Sequence, residues 1–445
     1  MPSSNDGRRD RYFNTKMEMM PRKELVSLQE KRFRAAIKYA RENSVFYKRA
    51  FRRLGIGPED VRSIADLQKR GFFTTKDDMR KTFPYGLLAV PREQVVEVHS
   101  SSGTTGTPVL GLHTEKDLED WGEISARCLT MAGITKKDVF QITPGFGMFS
   151  GGFGFYHGAR TVGCTIVPAA AGFSKRQIQF MLDFGTTMFS SIVSYAFRLA
   201  QVAEEMGVDL PKQTKVRKGI FGSEIWTKES KRKLSKLWDM DPYDVYGFAE
   251  MYGPGMGNDC RMHDGLHLWQ DFFLVEVVDP KTGEPLGPEE EGELVITTLR
   301  KNANPLIRYR CRDVSFLYDS STCDCGRTHQ KYKEIVGRTD DMVKISGVNF
   351  WPSEVESVLL RTEMVGAEYR IRLSKVNFED KVKIEVESAS KMGDKESKDK
   401  LSRELASELH NTLLFTPEVE ILDPGTLPRV EVGKAQRMLD ERKAA

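Results

Sequence analysis

The chain is predicted to fold as an α/β protein of two unequal parts. A large multi-layer N-terminal domain, its β-sheets covered by helices, precedes a small α+β C-terminal domain. Three observations predict this. At 445 residues the chain exceeds what one small core organises. From about 95 to 320, apolar β-branched runs alternate with amphipathic stretches of helical period. After GRTDDM (337–342) the alternation gives way to a β-like run, a charged turn and one amphipathic helix. The large domain is therefore expected over 21–338 and the small one over 339–445. Residues 1–20 are expected to be a frayed tail, because MPSSNDGRRDRYFNTK is polar and carries no apolar signal core.

The elements follow in order. Leu25, Leu28, Phe33, Ala36 and Tyr39 recur at three- and four-residue spacings within 22–54, which predicts helix. DVFQIT (138–143) reads as a strand before a glycine-rich turn. CTIVPAA (164–170) precedes the helical SKRQIQFMLDFG, and KGIFGSEIW (218–226) precedes TKESKRKLSKLW. FFLVEVVDP (272–280) and GELVITTL (292–299) are strand-like and flank the turn-rich KTGEPLGPEEE. In the last part come VKIEVES (382–388), the charged KMGDKESKDK and a helix from about 397 to 413.

Composition narrows the function classes. With 39% hydrophobic and 29% charged residues the chain is that of a soluble globular protein, and its net charge of +3 is spread rather than clustered. No nucleic-acid partner is expected. No stretch approaches the roughly 18 apolar residues of a membrane helix, so no membrane association is expected either. Six cysteines are too few for a disulfide scaffold, which fits a reducing cytoplasm. A homodimer is left open.

The chemistry begins at SSSGTTGTPVLGL (100–112). Glycine, serine and threonine can present backbone N–H groups and hydroxyls to a phosphate, although a polar surface turn has the same composition. The loop lacks the GK[ST] ending of an ordinary P-loop, so its cation must come from elsewhere. DVYGFAEMYG (244–253) sets Glu250 just past a strand; RYRCRDV (308–314) sets Asp313 among arginines. GRTDDMVKISGVNFWPSEVE (337–356) joins a charged turn to a glycine loop, and LPRVEVGKAQRMLD (427–440) carries Lys434 near the end.

In this order the segments resemble the adenylate-forming (acyl-CoA synthetase/luciferase-like) superfamily, and within it the phenylacetate–CoA ligase family. The likeness runs from about residue 20 to the end and includes FTTKDDMRKTFPYGLLAVPREQVV (73–96), GSEIW (222–226) and GLHLWQDFFLVEVVDP (265–280). It implies an enzyme that adenylates an acid with ATP and Mg²⁺ and passes the acyl group to coenzyme A, with a mobile small domain. A carboxylate is already a nucleophile at neutral pH, so catalysis is mainly positioning and charge stabilisation. By resemblance, Ser101, Ser102, Gly103, Thr104, Thr105 and Gly106 cradle the β- and γ-phosphates. Glu250 holds Mg²⁺, and Asp313 accepts from both ribose hydroxyls. Gly222, Ser223 and Glu224 border the adenine, and Tyr246, Gly247 and Phe248 line the nucleotide pocket. Lys434 bridges the acyl carboxylate and the α-phosphate when the small domain closes. Arg338 contacts the nucleotide, Asp340 is the hinge, and 346–352 line the thiol tunnel, with Lys344 and Gly347 among the cofactor-binding residues. One departure is Thr107, where the family loop commonly has lysine; its absence is expected to weaken nucleotide binding. A related enzyme loading a carrier protein or a deazaflavin, or a non-catalytic nucleotide-binding protein, are the alternatives. The last predicts damage at Glu250, Asp313 or Lys434, and all three are intact.

PGFGMFSGGFGFYHGA (144–159) is dense in glycine and aromatics, which fits either a flat slot for a ring or a buried helix close to a sheet. The resemblance favours the slot, with Phe146, Gly147, Phe149, Gly152 and Phe153 as acid-binding residues and Tyr195 as another wall. No Arg or Lys lies within 144–159, so an aryl or arylacetic acid with a single carboxylate is expected. Finally, CDCGRTH (323–329) and CRMHDGLH (260–267) offer thiolates and imidazoles suited to zinc, although cysteines also occur in turns without metal. The expected structural site is Cys260, His267, Cys323 and Cys325, with His263 or Cys311 as substitutes. Cys128 and Cys164 are expected in the core.

Overall fold

In the computed structural model, residues 12–442 are described apart from 58, 102–106, 320–321, 346–347, 377–378 and 431–434. The framework of the large domain is an eight-stranded sheet. From edge to edge its strands are Lys331–Tyr332, Leu266–Leu268, Gly253–Asp259, Asp241–Phe248, Lys218–Gly222, Met188–Ile192, Val139–Ile142 and Thr165–Val167. The last five pair in parallel and the first four antiparallel, so Asp241–Phe248 is where the sense changes. Parallel strands need crossovers, and the amphipathic helices Ser150–Val162, Ser174–Phe184, Val193–Glu205 and Lys228–Trp238 supply them. Phe273–Val278, Gly292–Thr298, Tyr309–Ser315 and Gly337–Arg338 form a second, antiparallel sheet. The predicted α/β class and the antiparallel pair over 272–299 are both present.

The helix predicted over 22–54 is two helices, Arg22–Asn43 and Val45–Arg53, divided at the buried, extended Ser44. The frayed tail requires a larger correction, because residues 12–20 are packed. The Tyr12 hydroxyl donates to the Cys325 carbonyl at 2.5 Å, and the buried Glu18 pairs with Arg327 at 2.8 Å. His329 Nε2 meets the Met17 carbonyl at 2.9 Å. These partners lie some three hundred residues away, so local polarity could not reveal them.

The small domain has its own apolar core, built from Val343, Phe350 and Val355, strands Val365–Val376 and Glu379–Ser388, and Leu401, Leu405, Leu409 and Leu413 of helix Lys395–Leu413. It meets the large domain along Lys228–Trp238. Ser230 Oγ donates to Glu356 at 2.5 Å, Arg232 pairs with Glu363 at 3.0 Å, and Lys233 Nζ donates to the Val365 carbonyl at 2.5 Å. Burial pushes the Lys233 ammonium down to about 8, although Glu363 pulls the other way. Between pH 8 and the ordinary lysine value, the unfolded chain holds a proton that the folded one has released, so stability from this group rises with pH. Compared with Lys233→Met, the parent is expected to gain on the order of 3 kcal/mol across that window. Urea midpoints from pH 7.5 to 10 check this; parallel curves for the two proteins would contradict it. Among the described residues no helix is long and apolar enough to cross a membrane.

Candidate active site

The reversal strand Asp241–Phe248 delivers three predicted residues, Tyr246, Gly247 and Phe248, and the turn after it delivers Glu250. That turn is tight because Gly247 approaches the backbone of Gly253: a Cβ on Gly247 would lie 2.0 Å from the Gly253 carbonyl oxygen. Gly247→Ala must therefore part the two strands and shift Tyr246 and Glu250. A displacement of about 1 Å at reacting groups is worth about 100-fold in rate. The expected result is a loss of that size in kcat/KM for adenylation, and a variant within about threefold of the parent would refute the close-approach argument.

Glu250 is buried, 2% exposed, and its Oε1 accepts from the Tyr309 hydroxyl at 3.2 Å and faces Lys76 Nζ at 3.2 Å. A carboxylate oxygen is the donor chemistry that suits Mg²⁺. Asp313 lies opposite Arg338 in the second sheet. Its Oδ1 accepts from Arg338 Nη1 at 2.6 Å, and its Oδ2 accepts from the Tyr246 hydroxyl. Arg338 also grips Asp340 with two bonds of 3.0 and 3.1 Å. Burial works against the Arg338 charge, but Asp313, Asp340 and Asp341 outweigh it and raise the guanidinium above its ordinary value.

Ser223 sits at φ 70°, turning the chain after strand Lys218–Gly222, and a Cβ on Gly222 would lie 2.4 Å from the Val245 carbonyl. Glu224 accepts from Ser194 N and Oγ, both at 2.8 Å, and from the backbone N–H of Ala435 at 3.2 Å. A cavity of about 360 Å³ opens here, lined by Ser194, Ser223, Glu224, Arg338, Trp351 and Ala435 among others. Residues predicted separately from three parts of the chain thus share one space, beside the position next to Lys434. Lys434, Ser102, Gly103, Thr104, Thr105, Gly106 and Gly347 lie outside the described residues. Ser101, at the loop entry, exchanges hydrogen bonds with Val109. Lys344 is exposed on strand Val343–Ile345 and is not among the residues lining the cavity.

The aromatic segment folds as the closely packed helix of the second alternative, with its entry residues toward the surface. Helix Ser150–Val162 packs closely, with Gly152 against the Gly145 carbonyl. Phe146 and Phe153 meet edge to face at 5.3 Å. Gly147 and Phe149 are exposed at the helix entry, Phe149 by 52%. Tyr195 belongs to a different apolar cluster, where its hydroxyl donates to the Gly172 carbonyl at 3.1 Å. Behind Phe153 stands a polar group that the sequence did not signal: Glu97 Oε1 faces His99 Nε2 at 2.7 Å and His157 Nε2 at 3.2 Å. Burial would raise the Glu97 carboxyl, but hydrogen bonds from His157 and His99 win and hold it at about 2.

The four expected zinc ligands come together: one donor atom each from Cys260, His267, Cys323 and Cys325 lie within 4.8 Å of one another. Two thiolates bound tetrahedrally at about 2.3 Å from zinc are about 3.8 Å apart. Cys260 and Cys323 Sγ are separated by 3.7 Å, and Cys325 Sγ is 3.3 Å from His267 Nε2. The two substitutes are elsewhere. His263 is held between Asp241 at 2.9 Å and Asp259 at 3.0 Å, and Cys311 donates to the Leu294 carbonyl at 3.1 Å. Cys128 is buried and Cys164 half-buried, as expected for core thiols.

A sheet reversing at an acidic turn, a paired aspartate and arginine on a second sheet, and a small domain facing both define an adenylate-forming enzyme. The sequence model of the AMP-binding enzyme family matches residues 59–299, and that of the AMP-binding enzyme C-terminal domain matches 347–442. A phenylacetate-coenzyme A ligase of Aromatoleum evansii is 38% identical over 430 residues, 96% of each chain. One from Thermus thermophilus is 38% identical over 447 residues, 97% of this chain and 100% of that one. The chain belongs to the phenylacetate-coenzyme A ligase family of AMP-binding enzymes. Among solved structures, a 2-hydroxyisobutyryl-CoA ligase in its postadenylation state superposes with a TM-score of 0.91 at 26% identity, covering 100% of this chain and 94% of that one. The same ligase in its thioesterification state, with the same identity and coverage, gives 0.72. The two domains here are therefore arranged as in the postadenylation form.

Proposed function

We propose that the protein is an AMP-forming ligase that condenses an arylacetic acid, phenylacetate or a close analogue, with coenzyme A. The observation that carries the reading is the meeting of Arg338, Ser223 and Glu224 with the 435–438 segment around one cavity, Asp313 being hydrogen-bonded to Arg338 and Tyr246, in a chain whose relatives are phenylacetate-coenzyme A ligases. The acid carboxylate attacks the α-phosphate of ATP, and pyrophosphate leaves. The thiol of coenzyme A then displaces AMP from the acyl carbon. Neither step needs a strong base, so the residues act by holding charge. Asp313 accepts from the ribose hydroxyls, Arg338 fixes Asp313 and reaches the nucleotide, and Ser223 and Glu224 border the adenine. The 101–106 loop cradles the outer phosphates, and Lys434 bridges the acyl carboxylate and the α-phosphate. Glu250 would hold Mg²⁺, which neutralises charge on the phosphates. The ring lies against the apolar faces of Phe146 and Phe153, in a segment, 144–159, that holds no Arg or Lys to pair a second carboxylate.

We place the domain boundary at 338/339, beside the proposed Arg338–Asp340 hinge, because the main apolar core of the large domain ends before it and that of the small domain begins at Val343. The Cys260, His267, Cys323 and Cys325 cluster would hold a structural zinc, closed by four protein ligands and so without catalytic access. The test of substrate class is ATP–pyrophosphate exchange across aryl, arylacetic and short fatty acids. Arylacetic acids are expected to lead; a preference for short aliphatic acids would overturn the assignment of the ring pocket.

A further inference from the structure

The phosphate loop carries Thr107 where its family commonly carries lysine, which leaves a cation for the outer phosphates to come from another part of the fold. Helix Lys76–Lys81 touches the exit of this loop at Thr107. Its start is fixed twice. A capping box joins Thr75 and Asp78, and Thr74 pairs with the strand carrying Tyr309, through Thr74 N to the Arg308 carbonyl at 3.1 Å and Arg310 N to the Thr74 carbonyl at 3.0 Å. Lys76 and Arg80 are four residues apart, on one helix face. Arg80 Nε donates to the carbonyl of Thr107 at 3.3 Å, and Lys76 Nζ lies 3.2 Å from Glu250 Oε1.

We propose that Lys76 supplies the cation missing from the loop and binds the outer phosphates of ATP, while Arg80 holds the loop's exit. This inference rests on the ligase reading above. Glu250 is a buried carboxylate, and the Lys76 ammonium compensates it. A divalent cation held by the same carboxylate would repel that ammonium and free it to turn. The phosphates arriving with it are the nearest new anions. Lysine suits the exchange, being a compact charge with three rotatable donors on a flexible stem. The Lys76 side chain is 30% exposed, so it can turn without unpacking a core.

Calorimetric titration of the full chain with ATP, with and without Mg²⁺, tests the proposal, alongside steady-state constants. Lys76→Met is expected to weaken MgATP binding about 10- to 100-fold, the worth of one charged hydrogen bond. KM for the acid should move less than about twofold. Lys76→Arg should recover most of the affinity. So should T107K added to K76M, because Thr107 is exposed and returns a lysine to the same phosphates. Unchanged MgATP affinity in K76M, in a parent that binds ATP, overturns this inference alone. So does a loss that neither K76R nor T107K repairs. A parent that does not bind ATP overturns the ligase reading, and this inference with it.

Discussion

Lys434→Ala is expected to cut acid-dependent ATP–pyrophosphate exchange about 100- to 1,000-fold, the range for removing one preorganised charge donor from a developing transition state. Transfer of a preformed acyl adenylate to coenzyme A should change by no more than about threefold. The asymmetry follows from the charges. In the first step a carboxylate approaches a phosphate, two anions that a water-poor site repels strongly, and a cation between them offsets the repulsion. In the second step the acyl group is already esterified and the incoming thiol meets a carbonyl. The N–H of Ala435, the next residue, is bonded to Glu224 at 3.2 Å, so the chain reaches the nucleotide cavity at that point. Equal losses in both half-reactions would show that the variant harms folding or domain packing instead.

The second large effect concerns stability. Cys325→Ser is expected to release the metal and to destabilise the chain by about 4 kcal/mol when the parent is studied at a thousandfold excess of zinc over its dissociation constant. The effect should spread beyond the knuckle. The Cys325 carbonyl accepts from Tyr12, and the adjoining Arg327 and Thr328 hold Glu18 and Met20. Residues 12–20 should therefore become sensitive to protease in the variant. Metal content by atomic emission and denaturant midpoints check both points. One zinc per chain and a lowered midpoint support the site; a metal-free parent with the same stability as the variant contradicts it.

Local pattern carried much of the fold. The alternation from 138 to 238 reads as strand and helix because each parallel strand is short and apolar and each crossover is amphipathic. The gathering of Cys260, His267, Cys323 and Cys325 was legible because thiols and an imidazole stand close together in two short segments. What escaped detection depends on contacts between distant segments. Glu18 is a polar residue in a polar stretch until Arg327 meets it. Lys76 opens an ordinary capped helix until the fold sets it beside Glu250, and Tyr309 looks like a strand aromatic until its hydroxyl reaches the same carboxylate. The Glu97, His99 and His157 group behind Phe153 joins a strand to a helix sixty residues away. Ring positions were harder than charges: Phe146 and Phe153 meet, whereas Phe149 and Tyr195 face elsewhere.

The most direct measurement is the product balance of the purified protein with MgATP, phenylacetate and coenzyme A. The account predicts one AMP, one pyrophosphate and one phenylacetyl thioester per acid consumed, with no thioester when either acid or coenzyme A is left out. ADP and inorganic phosphate as products would contradict it, as would AMP formed at the same rate without the acid.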